Sequence, residues 1–158
     1  MMSFGLQIAG VVKKVRKGLE RSVSKRAMQE IGKLAVQIIR ERTRDGKGVK
    51  RPDGNRTKLK PLSPQYIEFR KRFGNLSPFT SPGRSNLTLT GQMLDSIKVV
   101  RTSQGKAVVR PSGIREDGKR NADVARWVSR ERPFLNLARS EIRLITDEVR
   151  RFINAGLR

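Results

Sequence analysis

The side chains that could catalyse a reaction in this 158-residue chain are restricted to carboxylates and lysines. The chain contains no histidine and no cysteine, which excludes a Ser-His-Asp triad, a thiol nucleophile, a disulfide and a zinc site of the usual kind. Two groups have the residue types of a metal-dependent nuclease: Asp53 with Lys58, and Glu116 and Asp117 with Lys119. Both groups lie in glycine-rich segments without an apolar strand to hold them, so we interpret them as solvated charges and predict no enzyme and no cofactor.

The lysines and arginines offer a second kind of chemistry. They number 36 against 14 carboxylates, a net charge of +22 that is spread over the whole chain. Because such a charge repels itself, we expect a polyanion nearby, and nucleic acid is the simplest one. Trp127 is the only aromatic residue in the two cationic clusters at 40–51 and 115–132, which favours phosphate attraction over base stacking. The alternative for each cation is a solvated surface charge. The candidates to face DNA or a partner are Arg40, Arg44, Lys47, Lys50, Arg51, Arg115, Lys119 and Arg120.

Apolar periodicity predicts helices at the two ends of the chain. Residues 5–44 keep helical spacing, with a break between Gly18 and Ser24 that allows a separate N-terminal helix over residues 1–18. Ser22 or Ser24 would then be the N-cap of the second helix. The last helix carries apolar residues at spacings of three and four and ends near Gly156, and these residues are Ile142, Ile145, Val149, Phe152 and Ile153.

The middle of the chain is predicted to consist of loops, short helices and one hairpin. Residues 45–62 and 75–86 are predicted loops, the first mobile at its tip. Between them, Ser63 and Pro64 predict the start of a helix that ends at Gly74. Thr90 is expected to cap one helical turn over 91–96. The remaining predicted elements are a hairpin of Ile97–Thr102 and Lys106–Arg110 with a three-residue loop, a charged loop over 111–120 and a short helix over 123–128.

This order of elements predicts a single α+β domain over residues 1–158. A long N-terminal helical region and a C-terminal amphipathic helix would pack on a small antiparallel β-sheet, with long loops between the elements. A two-stranded hairpin is marginal alone, so further strands or neighbouring subunits are expected to complete the layer. The longest apolar run, at 8–12, is too short to span a membrane, so we expect no membrane partner.

Several segments, in this order, resemble a family of virion proteins. They are Arg44–Gly46 with Lys60–Pro64, then Leu89–Ile97, then Arg132–Leu137, followed by the terminal helix. Together they are similar to the virion-morphogenesis or tail-completion proteins of tailed phages, of the Mu and HK97 types. This chain has Lys60 where that family commonly has a tryptophan, and Asn136 where it commonly has a glycine. The matching structural residues are Leu62, Ser63, Pro64, Thr90, Gly91, Leu94, Ser96, Ile97, Arg132, Pro133, Phe134 and Leu135.

The resemblance implies a structural neck protein that completes the tail and joins it to the head. Such a protein would form a homo-oligomeric ring, with a hexamer favoured, through which double-stranded genomic DNA passes. Its implied partners are head–tail connector or adaptor proteins and tail terminator or tail tube proteins. It would lie in the virion after assembly in the bacterial cytoplasm, and the loops at 45–62 and 75–86 would be its docking segments.

Two alternatives remain open at this stage. A free-standing, sequence-nonspecific DNA- or RNA-binding protein would explain the charge equally well, but not the two segments at 89–97 and 132–137. A nuclease that uses Asp53 or Glu116 and Asp117 is the weaker alternative. The roles of tail completion, connector and tail terminator are not separated by the sequence.

Overall fold

A computed structural model describes residues 6–7, 23–73 and 77–155, with only the backbone described at 6–7. Its elements form an α+β arrangement, which confirms the predicted fold class. In chain order they are β1 (Leu6–Gln7), α1 (Lys25–Arg44), β2 (Lys47–Gly48), β3 (Thr57–Lys58), α2 (Pro64–Arg72), α3 (Gln92–Asp95), β4 (Ile97–Ser103), β5 (Lys106–Pro111), α4 (Asn121–Glu131) and α5 (Arg139–Asn154).

Helix α1 begins where one of the two predicted caps stands. The Ser24 hydroxyl accepts a hydrogen bond from the Ala27 amide at 3.1 Å, which satisfies an amide of the first helical turn. The predicted helix over 5–44 is wrong at Leu6–Gln7, which form strand β1 instead. Residues 8–22, with Ser22 and most of the predicted separate helix over 1–18, lie outside the described residues.

A three-stranded antiparallel sheet supplies one layer of the fold. The strand order is β1-β5-β4, so β1 adds the third strand that a lone hairpin requires. Ser103 pairs with Lys106, which makes the hairpin loop two residues long and corrects the predicted three-residue loop. Gly105 lies in that loop with a φ of +65°, a conformation that glycine adopts without strain.

Helix α1 lies against β4 and β5, and α5 packs on α1. The apolar faces of these elements and of α3 and α4 share one core. Helix α5 confirms the predicted terminal helix, while the Gly156 end lies outside the described residues. The most deeply buried apolar side chains of this core include Met28, Ile31, Ile39, Leu94, Ile97, Val109, Phe134, Ile145 and Val149. In the described part of the chain, no helix is long and apolar enough to cross a membrane.

Two helix starts in the middle of the chain test the capping predictions. Ser63 caps α2 by accepting from the Tyr66 amide at 3.3 Å, as predicted. The helix ends at Arg72, and Gly74, its predicted end, lies outside the described residues. The predicted cap at Thr90 is wrong, because Gly91 takes the N-cap position of α3 with a φ of +79°. The positive φ favours glycine there, since a side chain at this position would be strained.

A buried ion pair joins α1 to α5. Arg42 donates to the Glu141 carboxylate at 2.6 Å, and both side chains are almost completely buried, with exposed fractions of 1% and 0%. Arg42 also donates to the carbonyl oxygens of Phe134 and Asn136. Arg56 donates to the second Glu141 oxygen at 2.9 Å, so the β2–β3 loop is attached to the same carboxylate. Burial is the main cause that lowers the pKa of Arg42 from its ordinary value, and the Glu141 carboxylate opposes it.

Candidate functional site

Strands β2 and β3 form a small antiparallel hairpin that carries an unusual concentration of exposed cations. Lys47 lies directly opposite Lys58, and directly opposed residues of an antiparallel pair project from the same face. Two like charges in that position repel each other. Within the described ranges, no carboxylate pairs with the four exposed cations of this basic hairpin, which are Lys47, Lys50, Arg51 and Lys58.

The basic hairpin is fixed to the body of the domain by backbone hydrogen bonds. The Val49 amide donates to the Pro133 carbonyl at 3.0 Å, while a bond from the Leu59 amide to the Gly46 carbonyl at 2.8 Å closes the hairpin itself. The Val49 side chain is fully buried. Gly48 lies so close to the Pro133 segment that an added Cβ would be 2.3 Å from the Pro133 oxygen. These contacts hold the four cations on a rigid platform.

The tip of the 45–62 segment is attached as well. The Asp53 amide donates to the Leu137 carbonyl at 3.2 Å, and the Arg139 amide donates to the Gly54 carbonyl at 3.1 Å. Asn136 adds a side-chain hydrogen bond to the Val49 carbonyl at 3.1 Å. The tip therefore satisfies backbone groups against the chain that leads into α5, an attachment that argues against the expected mobility.

Arg40 and Arg44, two of the predicted DNA- or partner-facing residues, have internal partners. Arg40 donates to the carbonyl oxygens of Leu94, Asp95 and Ile97 at 2.6–3.1 Å. Arg44 binds the Asp95 carboxylate at 2.8 Å and stacks over the Phe79 ring at 3.8 Å. This geometry ties α1 to the α3–β4 junction and gives both arginines a structural role.

The second predicted cluster lies in the loop between β5 and α4. Arg115 pairs with Asp117 at 3.2 Å, Lys119 approaches the same carboxylate at 3.9 Å, and Arg120 is exposed. The backbone amide of Lys119, followed by the charge of Arg115, lowers the pKa of Asp117. Asp117 is thus a partner of nearby cations, and no group of three or more acidic residues that could hold a metal ion occurs in residues 23–73 and 77–155.

Three of the segments singled out in the sequence, at 60–64, 89–97 and 132–137, contribute to one groove. Arg132 donates to the carbonyl oxygens of Lys60 and Pro61, each at 3.0 Å, and to the Ser85 hydroxyl at 3.1 Å. Leu62, Ser63, Thr90 and Gly91 line the groove with Arg132. Arg132 therefore ties its own segment to the chain at 60–61 and at 85, while the segment at 90–91 shares the lining of the groove.

The other motif residues form the scaffold beneath this groove. Leu94, Ile97 and Phe134 are fully buried in the core, and Leu135 is nearly so. Ser96 donates to the Met93 carbonyl at 2.7 Å at the end of α3. Pro64 occupies the first turn of α2, and Pro133 offers the carbonyl that anchors the basic hairpin.

Sequence reasoning missed three features of these surfaces. The opposition of Lys47 and Lys58 depends on the register of a hairpin whose strands are two residues long, too short for a periodic pattern. The buried pair of Arg42 and Glu141 left no local signal, because the two residues come from different helices. The third missed feature is the place of Trp127 in the groove lining. The sequence did contain a signal for it, because the apolar residues Val124 and Val128, at the i−3 and i+1 positions, indicate an apolar helix face beside Trp127.

No family model, characterised protein or solved structure matches this chain. Its function is therefore inferred from the surfaces that the fold builds. Those surfaces are a rigid basic hairpin and a neighbouring apolar groove, which share Lys60 at their boundary.

Proposed function

We propose that this protein is a structural neck protein of a tailed phage, which completes the tail and joins it to the head as a homo-oligomeric ring around the genomic DNA. The observation that carries the proposal is the rigid basic hairpin, whose Lys47 and Lys58 repel each other unless an anion lies beside them. The motif segments that resemble tail-completion proteins, and that converge on the adjoining groove, support the same assignment.

A duplex that passes through a ring needs attraction to its phosphates without recognition of its bases. The exposed cations of the basic hairpin provide this, because lysine and arginine contacts to phosphate position DNA without reading its sequence. The hairpin presents no aromatic side chain on which a base would stack. Repetition of the hairpin around a ring would give a channel that holds DNA loosely and lets it pass during ejection.

The remaining motif residues fit a structural component, because folding contacts account for them. Gly91 permits a sharp turn, Phe134 fills the core and Arg132 ties three segments together. In this proposal, the neighbours of the ring are connector or adaptor proteins on the head side and terminator or tube proteins on the tail side. The protein would then be found in the virion, after assembly in the bacterial cytoplasm.

A free-standing, sequence-nonspecific nucleic-acid-binding protein is the second candidate, and the same basic hairpin favours it. The two functions differ in how the isolated subunit behaves. A dedicated binder holds duplex DNA tightly as a monomer, with a steep dependence of affinity on salt. A neck subunit binds weakly alone and gains affinity when it assembles into a ring.

The deciding experiment is electron microscopy of a lysate from the parent phage with this gene disrupted. Filled heads and finished tails that remain unjoined are the expected result. Intact infectious particles would contradict the neck assignment and favour the free-standing binder.

The contribution of the basic hairpin is tested by a double variant, Lys47→Gln with Lys58→Gln. The matched control removes two exposed lysines from the sheet, Lys98→Gln with Lys106→Gln. Duplex binding is measured by fluorescence anisotropy over a range of NaCl concentrations. If both hairpin lysines contact phosphates, the log–log salt slope falls by about 1.8, at about 0.9 per contact. An equal fall in the control variant would show that the hairpin has no special part in DNA binding.

A further inference from the structure

The groove beside the basic hairpin is a largely apolar surface that none of the residues described by the structure fills. It lies between α2 and α4, has a volume of about 800 Å³, and is floored by the chain from Leu87 to Gly91. Val124 and Val128 form one wall, on the face of α4 that also carries Trp127. The Trp127 side chain is 71% exposed, which is unusual for an indole whose neighbours on the same helix face are half-buried.

Two arginines give this groove a positive charge that their hydrogen-bond acceptors do not neutralise. Arg132 binds carbonyl and hydroxyl oxygens, and Arg70 binds the Arg84 carbonyl at 2.8 Å and the Asn86 side-chain oxygen at 3.3 Å. All of these acceptors are neutral. Arg70 is 98% buried, and its Nε has no hydrogen-bond partner in the structure as described. No carboxylate is among the described residues that line the groove.

The backbone at the floor of the groove is held in an unfavourable conformation. Leu87 has a φ of +55°, in the left-handed region that a leucine adopts at a cost of about 1 kcal/mol or more. Such strained residues cluster where a ligand or partner is held. The strain therefore coincides with the apolar lining and the uncompensated charge.

We propose that this groove is the docking site for an acidic amphipathic segment of a partner protein. Its apolar side chains would pack on Trp127 and Val128, and its carboxylates would face Arg132 and Arg70 at the floor and Arg115 at the rim. The proposal goes beyond the neck function and does not depend on it, because it rests on the chemistry of the groove alone.

Charge and shape select this occupant over the others. A second copy of this chain carries +22 and would bring like charge to a positive groove. Duplex DNA offers phosphates but no apolar side chains to fill the aliphatic lining. A single strand would stack on successive aromatic side chains, whereas Tyr66 and Trp127 are the two aromatic residues of the described lining and lie on different helices. An amphipathic segment with carboxylates satisfies both the lining and the charge.

Trp127 is the only tryptophan of the chain, so its fluorescence reports on the groove directly. Short random peptides displayed on phage would be selected on the full-length protein and counter-selected on the Trp127→Ala variant. The selected peptides would then be synthesised, and their binding followed by the shift of Trp127 emission to shorter wavelength. For the tryptophan-free variant, binding would be measured by anisotropy of a labelled peptide.

The expected result is enrichment of peptides that combine Asp or Glu with Leu, Ile or Phe. Trp127→Ala should weaken their binding by at least about tenfold. The control Leu144→Ala removes an exposed apolar side chain from α5, outside the groove, and should leave binding unchanged. Enrichment of neutral or basic peptides, no enrichment, or an equal loss in the control would overturn the proposal.

An oligothymidylate serves as the competing probe. If it displaces the selected peptides and shifts Trp127 emission at lower concentration than they do, the groove binds single-stranded nucleic acid and the proposal is wrong. The duplex-binding slope of the Lys47→Gln, Lys58→Gln variant is a separate measurement. Failure of the DNA-channel proposal is therefore distinguishable from failure of the groove proposal.

Discussion

Replacement of Glu141 by glutamine is the most informative test of how α1 and α5 are joined. The Glu141 carboxylate accepts three hydrogen bonds, from Arg42 at 2.6 Å, from Arg56 at 2.9 Å and from the Ala138 amide at 2.8 Å. Glutamine keeps the size and shape of the side chain. It removes the charge and turns one acceptor oxygen into an NH₂ group that faces a guanidinium.

The magnitude follows from the burial of the two partners. Hydrogen bonds to charged groups contribute about 1.5–3 kcal/mol each, and the substitution weakens or loses two of them. Removing one partner of a buried ion pair costs about 3–5 kcal/mol, because the other charge stays buried without compensation. We therefore expect Glu141→Gln to lower the free energy of unfolding by about 3–5 kcal/mol. Arg56 is 43% exposed, so Arg56→Gln should cost about 1 kcal/mol or less.

The assay is equilibrium unfolding in urea, followed by circular dichroism. Urea is preferred to guanidinium chloride because it is uncharged and does not screen the charges of the protein. The matched control is Glu68→Gln, which removes the charge of an exposed i,i+3 pair with Lys71 and should change the unfolding free energy by about 0.5 kcal/mol or less. A loss below about 1 kcal/mol for Glu141→Gln, or one equal to the control, would refute the reasoning.

Three further predictions follow from particular contacts and from the net charge. Gly48→Ala should destabilise the fold by about 1–3 kcal/mol or more, because the new Cβ meets the Pro133 carbonyl. The control is Gly83→Ala, where nothing lies within 4 Å of the added atom. Similar urea midpoints for the two variants would contradict the close approach of Gly48 to Pro133. The hydrogen bond from Lys60 lowers the pKa of Glu131. The stabilisation from this pair is therefore fully present above the unfolded-state pKa of the carboxyl, and it is lost as the pH falls through the lower folded-state pKa. A carboxyl NMR titration should show this low midpoint and its rise in Lys60→Met, and an unchanged midpoint would remove Lys60 as the cause. Finally, added NaCl should raise the melting temperature measured by circular dichroism, because it screens the self-repulsion of +22 charges, and a fall would contradict this.

The local signals of the sequence predicted much of the fold. Ser24 and Ser63 cap helices as expected, since a cap depends on residues within the first turn. The apolar spacing of the terminal helix predicted α5 for the same reason. Thr90 failed as a cap because Gly91, with its positive φ, takes the N-cap position, and the space around Gly91 is limited in part by Ser77, 14 residues away. Strand β1 was missed because it exists through pairing with β5, about a hundred residues later.

The candidate site was only partly predictable. Lys47, Lys50 and Arg51 were identified from their cluster, and the structure leaves them exposed. Lys58 was considered only beside Asp53, because its position opposite Lys47 appears in the hairpin register and not in the spacing of the sequence. The groove could not be predicted at all, because its walls come from helices that are far apart in the chain.

The sequence by itself determined the charge of this protein, the chemistry that it lacks, and the local starts and apolar faces of its helices. These properties depend on residue types and on neighbours within a few positions. Only the tertiary structure decided which cations are free and which are engaged. Arg40 and Lys50 look alike in the sequence, yet Arg40 binds carbonyl oxygens 54 to 57 residues later, and no carboxylate in the described chain pairs with Lys50. A guanidinium binds whatever acceptor lies within about 3 Å, and for Arg40 the fold brings its acceptors from a distant part of the chain.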